Sequence, residues 1–180
     1  PVKLVLVTET YPPEVNGVAM TLQRLMRGLA AAGHAIEIVR PRLPGARERD
    51  PADPAGLRHC LVPSLPLPFY RELRIGLPLY LRLRKRWSRA RPDVVHIATE
   101  GPLGWAALCA ARRLGVPVSS SFHTNFQQYT QQYMFRAMHD IALGYLRAFH
   151  NRAACTLVPT DQARGELVAE GFRRVGVMSR

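Results

Sequence analysis

Cysteine, lysine and long apolar runs are the scarce features of this 180-residue chain. Its three cysteines, Cys60, Cys109 and Cys155, are scattered, odd in number and never spaced Cys-x-x-Cys. That pattern suggests neither a disulfide framework nor a thiolate zinc site, and it suits a reducing cytoplasm. No stretch of about 18 uncharged apolar residues occurs, since the best candidate, residues 101–118, is broken by Arg112 and Arg113. A membrane-crossing helix is therefore not expected. The chain opens directly on the apolar run Lys3 to Thr8, without the charged, apolar and small-residue regions of a secretory leader, so a cytoplasmic location is expected. Nucleotide-binding glycine signatures are missing as well. No Gly-x-Gly-x-x-Gly follows the first apolar run and no Gly-Lys-Ser/Thr occurs, which argues against a dinucleotide enzyme and a P-loop NTPase.

What is present is enough apolar material, 47% of residues, for one sizeable core but not for two full α/β domains. A single domain over residues 1–180 is the expectation. The formal charge is +12, which predicts attraction to polyanions, anionic lipid or phosphorylated small molecules. Only Lys3 and Lys85 are lysine, so 23 of the 25 cations are arginine. A GC-rich genome produces such a bias by itself, and the placement of the charge therefore says more than its sum.

Lys3-Leu-Val-Leu-Val-Thr8 has the continuous apolar pattern of a strand buried on both faces. After a loop, Glu9 to Gly17, the residues Val18, Leu22, Leu25 and Leu29 recur at helical spacing, and Gly33 stands where a glycine closes a helix. Ala35 to Arg40 reads as a strand, residues 41–56 as an exposed loop and Leu57 to Val62 as a short strand. Leu79, Tyr80, Leu83, Trp87 and Ala90 line one face of a helix whose other face carries Arg82, Lys85, Arg86 and Arg89. Further strands are predicted at Val94 to Ala98, Val116 to Ser121, Thr156 to Thr160 and Val175 to Met178. Helices are predicted from Pro102 to Leu114, Thr130 to Ala154 and Asp161 to Glu170. This alternation predicts an α/β fold with a mostly parallel sheet covered on both faces.

In such sheets ligands gather beyond the carboxyl ends of the strands. In the first loop, Thr10-Tyr-Pro-Pro-Glu-Val-Asn-Gly-Val-Ala-Met20, paired prolines stiffen the chain and Asn16-Gly17 opens a helix N-terminus suited to phosphate; plain turn chemistry is the alternative. His123 follows an apolar strand and precedes Thr124 and Asn125, where side chains pass from core to cleft. His96, inside a strand, reads as structural. Glu100 precedes Gly101-Pro-Leu-Gly104 and is expected to cap the helix that starts there. Between Arg71 and Arg91 stand eight basic residues and one acid, Glu72, interleaved with Phe69, Tyr80 and Trp87. That composition suits either a solvated charged face or docking on anionic lipid through Arg82, Lys85, Arg86 and Arg89.

Taken in order, "TETYPPEVNGVAMTLQRLMRGLAAAGHAIEIV", "RPDVVHIATEGPLG", "SSFHTNF" and "TLVPTDQARGELVAEGF" resemble retaining glycosyltransferases of the group 1, family four type, over nearly the whole chain. The nearest look is to lipid glycosyltransferases, including GDP-mannose-dependent α-mannosyltransferases and sulfoquinovosyl transferases. The resemblance implies a Rossmann-like three-layer sandwich forming the N-terminal, acceptor-side half of a two-domain GT-B architecture. The donor-binding domain, with its Glu-x7-Glu motif, would lie outside this chain.

It further implies transfer of a hexose from a nucleoside diphosphate sugar to a hydroxyl acceptor with retention, without a cofactor or a required metal. Asn16 and Gly17 would face the donor diphosphate, although many relatives carry two glycines there. His123 would point at the transferred sugar, and Glu100 would border the acceptor pocket. Tyr11, Arg71, Thr124 and Asn125 are weaker acceptor-side candidates. The expected partners are donor, acceptor, the C-terminal domain and the inner face of the cytoplasmic membrane, with no nucleic acid. A non-catalytic polyanion- or nucleotide-binding α/β module is the alternative.

Overall fold

A computed structural model describes residues 1–44, 47–48, 51–67, 70–123 and 136–178, excepting the side chains of 67, 70–73 and 136. Contacts divide the chain into two compact units, Pro1–Val118 and Ser119–Arg180.

In the first unit, β1 (Lys3–Val7) lies between β2 (Ala35–Pro41) and β6 (Val94–Ile97), and β3 (Leu57–Val62) extends the sheet beyond β2. All of these pairings are parallel. Helix α1 (Gly17–Ala31) lays Leu22, Met26 and Ala30 on Leu6, Ile36, Ile38 and Leu57 of β1, β2 and β3 in one buried cluster. Helix α3 (Pro102–Arg113) buries Leu103, Ala106, Ala107, Ala110 and Ala111, small residues that let it sit close. Helix α2 (Tyr80–Arg89) packs beside α3 and buries Leu83 and Trp87. With cover on both faces, Leu6 and Val7 are fully excluded from water, the reason β1 needs a continuous rather than alternating apolar run.

The second unit carries most of β7 (Val118–Ser121), then helix α4 (Arg136–His150), β8 (Cys155–Val158), α5 (Asp161–Ala169) and β9 (Val175–Val177). Its strands pair in parallel, β8 between β7 and β9. Phe122, Leu143, Leu146, Val158, Leu167 and Phe172 form its core. A buried polar pair crosses that core, His150 Nδ1 lying 2.8 Å from Ser120 Oγ.

Among the described residues these are seven parallel strands with flanking helices, the expected α/β, Rossmann-like class. Gly33 closes α1 as expected, with φ of +92°, and Gly115 and Gly171 likewise follow helices with φ of +66° and +87°. Two features differ. A hairpin, β4 (Ser64–Leu67) against β5 (Tyr70–Gly76), occupies a stretch for which the sequence suggests no element. Its prolines hide it, because a two-stranded ribbon tolerates proline that a central strand does not. Helix α4 ends at His150 instead of near Ala154. Asn151 turns away there to donate to the Gly171 carbonyl (3.0 Å) and accept from the Arg173 amide (2.7 Å). The predicted helical residues 130–135 lie outside the described residues.

At Gly104 an added Cβ would stand 2.1 Å from the Thr99 carbonyl oxygen, so α3 reaches the end of β6 only through a residue without a side chain. Gly104→Ala forces a backbone shift and is expected to cost about 1–3 kcal/mol, read as a lowered thermal midpoint with the fold retained.

Candidate functional site

The loops after β1 and β6 meet at the carboxyl end of the sheet, where an α/β fold collects its ligands. The first of them is a small hydrogen-bonded frame. Thr10 Oγ1 donates to Glu14 Oε2 (2.8 Å) and accepts from Asn16 Nδ2 (2.7 Å), while Asn16 Oδ1 accepts the Ala19 amide (2.8 Å). Asn16 is thus the N-cap of α1, with extended backbone (φ −144°, ψ 162°). Gly17 is the first helical residue, and the first-turn amides of Gly17 and Val18 have no intrahelical acceptor. Both Asn16 and Gly17 are exposed, and a Cβ added at Gly17 would meet nothing within 4 Å. Here glycine answers no crowding from the chain itself; it leaves open the space in front of a helix N-terminus.

Glu9, which the sequence reading passes over, holds the two loops together. Its amide donates to Thr99 Oγ1 (2.9 Å), and its Oε2 accepts the Gly76 amide at the end of β5 (3.3 Å). Its Oε1 sits against Gly101, only 1.9 Å from where a Cβ there would stand. Burial raises the Glu9 carboxyl from its ordinary 4.5 to about 7, against the opposing pull of the Gly76 and Leu103 amides. Gly101 is the N-cap of α3 and makes no side-chain cap bond. The carboxyl of Glu9 thus packs against this helix start. Glu100 itself is half-buried in the neighbouring loop.

Tyr11, expected on the acceptor side, is 3% exposed and belongs to the core under α1. Its ring meets His59 edge-on at 5.5 Å, and the Arg40 guanidinium lies 5.4 Å above it. A chain of buried polar groups continues from there. Arg40 Nε donates to His59 Nδ1 (3.2 Å) and its Nη1 to the Pro12 carbonyl (2.8 Å). His59 Nε2 stands 2.9 Å from Asp53 Oδ2, and Arg27 Nε donates to Asp53 Oδ1 (2.9 Å). Tyr11, Pro12, Arg40, Asp53 and His59, with Gln23 and Arg47, line a cavity of about 530 Å³ by the carboxyl end of β2. A cation ending the apolar run Ile36-Glu-Ile-Val-Arg40 was the one sequence signal for it.

His123 lies in the second unit, half-buried and two residues past β7, directly after the buried Phe122 whose amide donates to the Leu157 carbonyl (2.9 Å). Thr124 and Asn125 lie outside the described residues. Arg71 falls in β5, its side chain likewise outside them. His96 is buried at 6%, in keeping with a structural role. Arg82, Lys85, Arg86 and Arg89 all lie exposed on α2.

The sequence profile described as Glycosyltransferase Family 4 matches residues 15–179. The chain is 32% identical over 174 residues to a GDP-mannose-dependent alpha-mannosyltransferase of Mycobacterium tuberculosis, a match covering 97% of this chain and 46% of that protein. It is 28% identical to the sulfoquinovosyl transferase of Arabidopsis thaliana, over 95% of this chain and 33% of the relative. Among solved structures, sucrose-phosphate synthase from Thermosynechococcus elongatus superposes with a TM-score of 0.63 at 16% identity, covering 98% of this chain and 47% of that one. The chain thus spans half or less of the length of these relatives.

Glu9 carries a testable electrostatic signature. Its folded pKa lies above its unfolded value, so between pH 4.5 and about 7 the folded chain binds more protons than the unfolded one. Its contribution to stability is fully present below pH 4.5 and is lost as pH rises through about 7. Glu9→Gln should flatten this slope and melt above the parent at pH 8, by on the order of 1–2 kcal/mol once partial exposure is discounted. Thermal melts of both proteins at pH 5 and pH 8 read the difference directly.

Proposed function

Because the chain belongs to glycosyltransferase family 4, we propose that it is the acceptor-side half of an enzyme transferring a hexose from a nucleoside diphosphate sugar to a hydroxyl acceptor, with retention at the anomeric carbon. The reading rests above all on the Asn16-capped, unobstructed N-terminus of α1 at the carboxyl end of the sheet. The likeness to a GDP-mannose-dependent enzyme supports mannose as the sugar, and the likeness to a sulfoquinovosyl transferase supports a lipid acceptor. The remainder of the intact protein would supply the domain that reads base and sugar, so this chain alone is expected to transfer nothing.

In this reading the departing diphosphate develops negative charge, and the α1 N-terminus meets it with amides and the positive end of its dipole. The reaction needs no metal, because fixed dipoles and the cations of the other domain take that load. His123 hydrogen-bonds the transferred sugar as its glycosidic bond breaks. The polar cavity around Tyr11, Arg40 and His59 offers the acceptor a hydrogen-bonding wall. The exposed cations of α2 dock the enzyme on an anionic membrane surface, where a lipid acceptor resides.

Three variants of the intact protein test the parts separately. Gly17→Val has room to fit, so the melting temperature should hold while donor KM rises; unchanged donor kinetics would reduce this loop to a turn. His123→Ala should lose on the order of 10²-fold in kcat with a smaller change in KM. A lowered melting temperature with normal turnover would make His123 structural. Replacing Arg82, Lys85, Arg86 and Arg89 together by Gln should abolish salt-sensitive sedimentation with anionic vesicles, at roughly 1 kcal/mol per cation.

A further inference from the structure

On the face of the sheet turned away from α1, strand register aligns Val5 of β1 with Glu37 of β2 and Arg58 of β3. Their neighbours in register, Leu4, Ile36 and Leu57, belong to the α1 side. Helix α2 runs beside the Val5 row, and between helix and strands lies a cavity of about 500 Å³. Its walls hold six cations, Lys3, Arg58, Arg82, Lys85, Arg86 and Arg89, against a single carboxylate, Glu37. That carboxylate is already engaged. Arg86 donates to Glu37 Oε1 through Nε (2.9 Å) and again through Nη2, a pairing that raises the guanidinium pKa. Among the described residues no second carboxylate lines the cavity beside the other five cations. Val5, Ala35, Ala90 and Pro92 give the same cavity an apolar lining.

The position separates this cavity from the reaction site. Lys3 and Ala35 are the first residues of β1 and β2, so it opens at the amino ends of the strands, opposite to Glu9 and Asn16. Concentrated positive charge beside an apolar floor matches an anion carrying methylene groups. The volume falls within the range of roughly 300–1,000 Å³ usual for small-ligand pockets, enough for a headgroup and its first methylenes though not for a whole diacyl lipid.

We propose that this cavity binds the phosphate headgroup of one anionic membrane lipid. Lys3 and Arg58 reach the phosphate from the sheet, Arg82, Lys85 and Arg89 reach it from the helix, and the glycerol end of the acyl chains lies on Val5, Ala35, Ala90 and Pro92. The site deepens the membrane-docking part of the reading above by turning a diffuse basic face into a stoichiometric one. It is nonetheless separable from it, because Lys3 and Arg58 lie off α2.

The test is calorimetry of the chain with dihexanoyl phosphatidylglycerol below its micelle concentration, alongside dihexanoyl phosphatidylcholine and glycerol 3-phosphate. The expected result is saturable binding of one phosphatidylglycerol per chain, about tenfold or more tighter than either comparison compound. The K3Q/R58Q double variant should lose that binding by a similar factor while keeping its α2-dependent sedimentation with anionic vesicles. Both side chains are exposed, so its melting temperature should match the parent; should it fall, R58Q alone is measured for the same loss. Equal affinity for glycerol 3-phosphate would make this a free-phosphate site and overturn the proposal. Unsaturable binding, or unchanged binding in a folded Lys3 and Arg58 variant, would overturn it equally, by showing that α2 attracts lipid only as a charged surface.

Discussion

The carboxyl of Glu9 is the contact on which the ligand-facing end of the sheet depends. It leaves β1 at the one point where three other segments converge, taking an amide from β5 at Gly76 and resting on Gly101 at the start of α3. A half-buried carboxyl costs free energy unless its lone pairs are met, and here the cost is reduced by amides and by protonation rather than by an arginine. The consequence is geometric. Gly101 has to be glycine because the acid occupies the place of its side chain, and Gly104 because α3 then presses on the carbonyl of Thr99. The sequence Glu100-Gly-Pro-Leu-Gly104 is the imprint of a helix brought close to a carboxyl from another loop.

Charge is divided between the two ends of the same strands. At the carboxyl ends polar side chains join in short hydrogen-bonded chains, Arg27 to Asp53 to His59 to Arg40 and Asn16 to Thr10 to Glu14. Such networks fix side chains in place and present oriented donors, which suits chemistry on a polar substrate. At the amino ends, among the described residues, six cations line the cavity beside one carboxylate, Glu37, which pairs with Arg86. That arrangement attracts an anion without orienting a reaction. Six of the 25 Lys and Arg side chains of the chain gather at this one surface.

Much of the fold was legible because its strands are continuous apolar runs and its helices are closed by glycines at Gly33, Gly115 and Gly171. The hairpin β4–β5 was not, since its prolines imitate a loop. The first loop was legible as a helix N-terminus, and Asn16 proved to be its cap. Glu9 was missed because nothing in Thr8-Glu-Thr10 signals that Gly76 and Gly101, 67 and 92 positions later in the sequence, fold onto it. Adjacency in sequence pointed to Glu100 at the start of α3, whereas packing brought Glu9 there as well. The Arg40 and His59 cluster was obscured for a related reason, as its partners Arg27 and Asp53 come from α1 and from a loop without periodicity.

The central claim is that the carboxyl end of this sheet, with the α1 N-terminus at its edge, receives the diphosphate of a sugar donor. Hydrogen–deuterium exchange of the intact protein with and without a saturating nucleoside diphosphate sugar tests it most directly. The account predicts slowed exchange at the amides of residues 14–20 and unchanged exchange at the amino ends of β1 and β2 around Lys3 and Ala35. Donor saturation that leaves residues 14–20 exchanging at their original rate would contradict it.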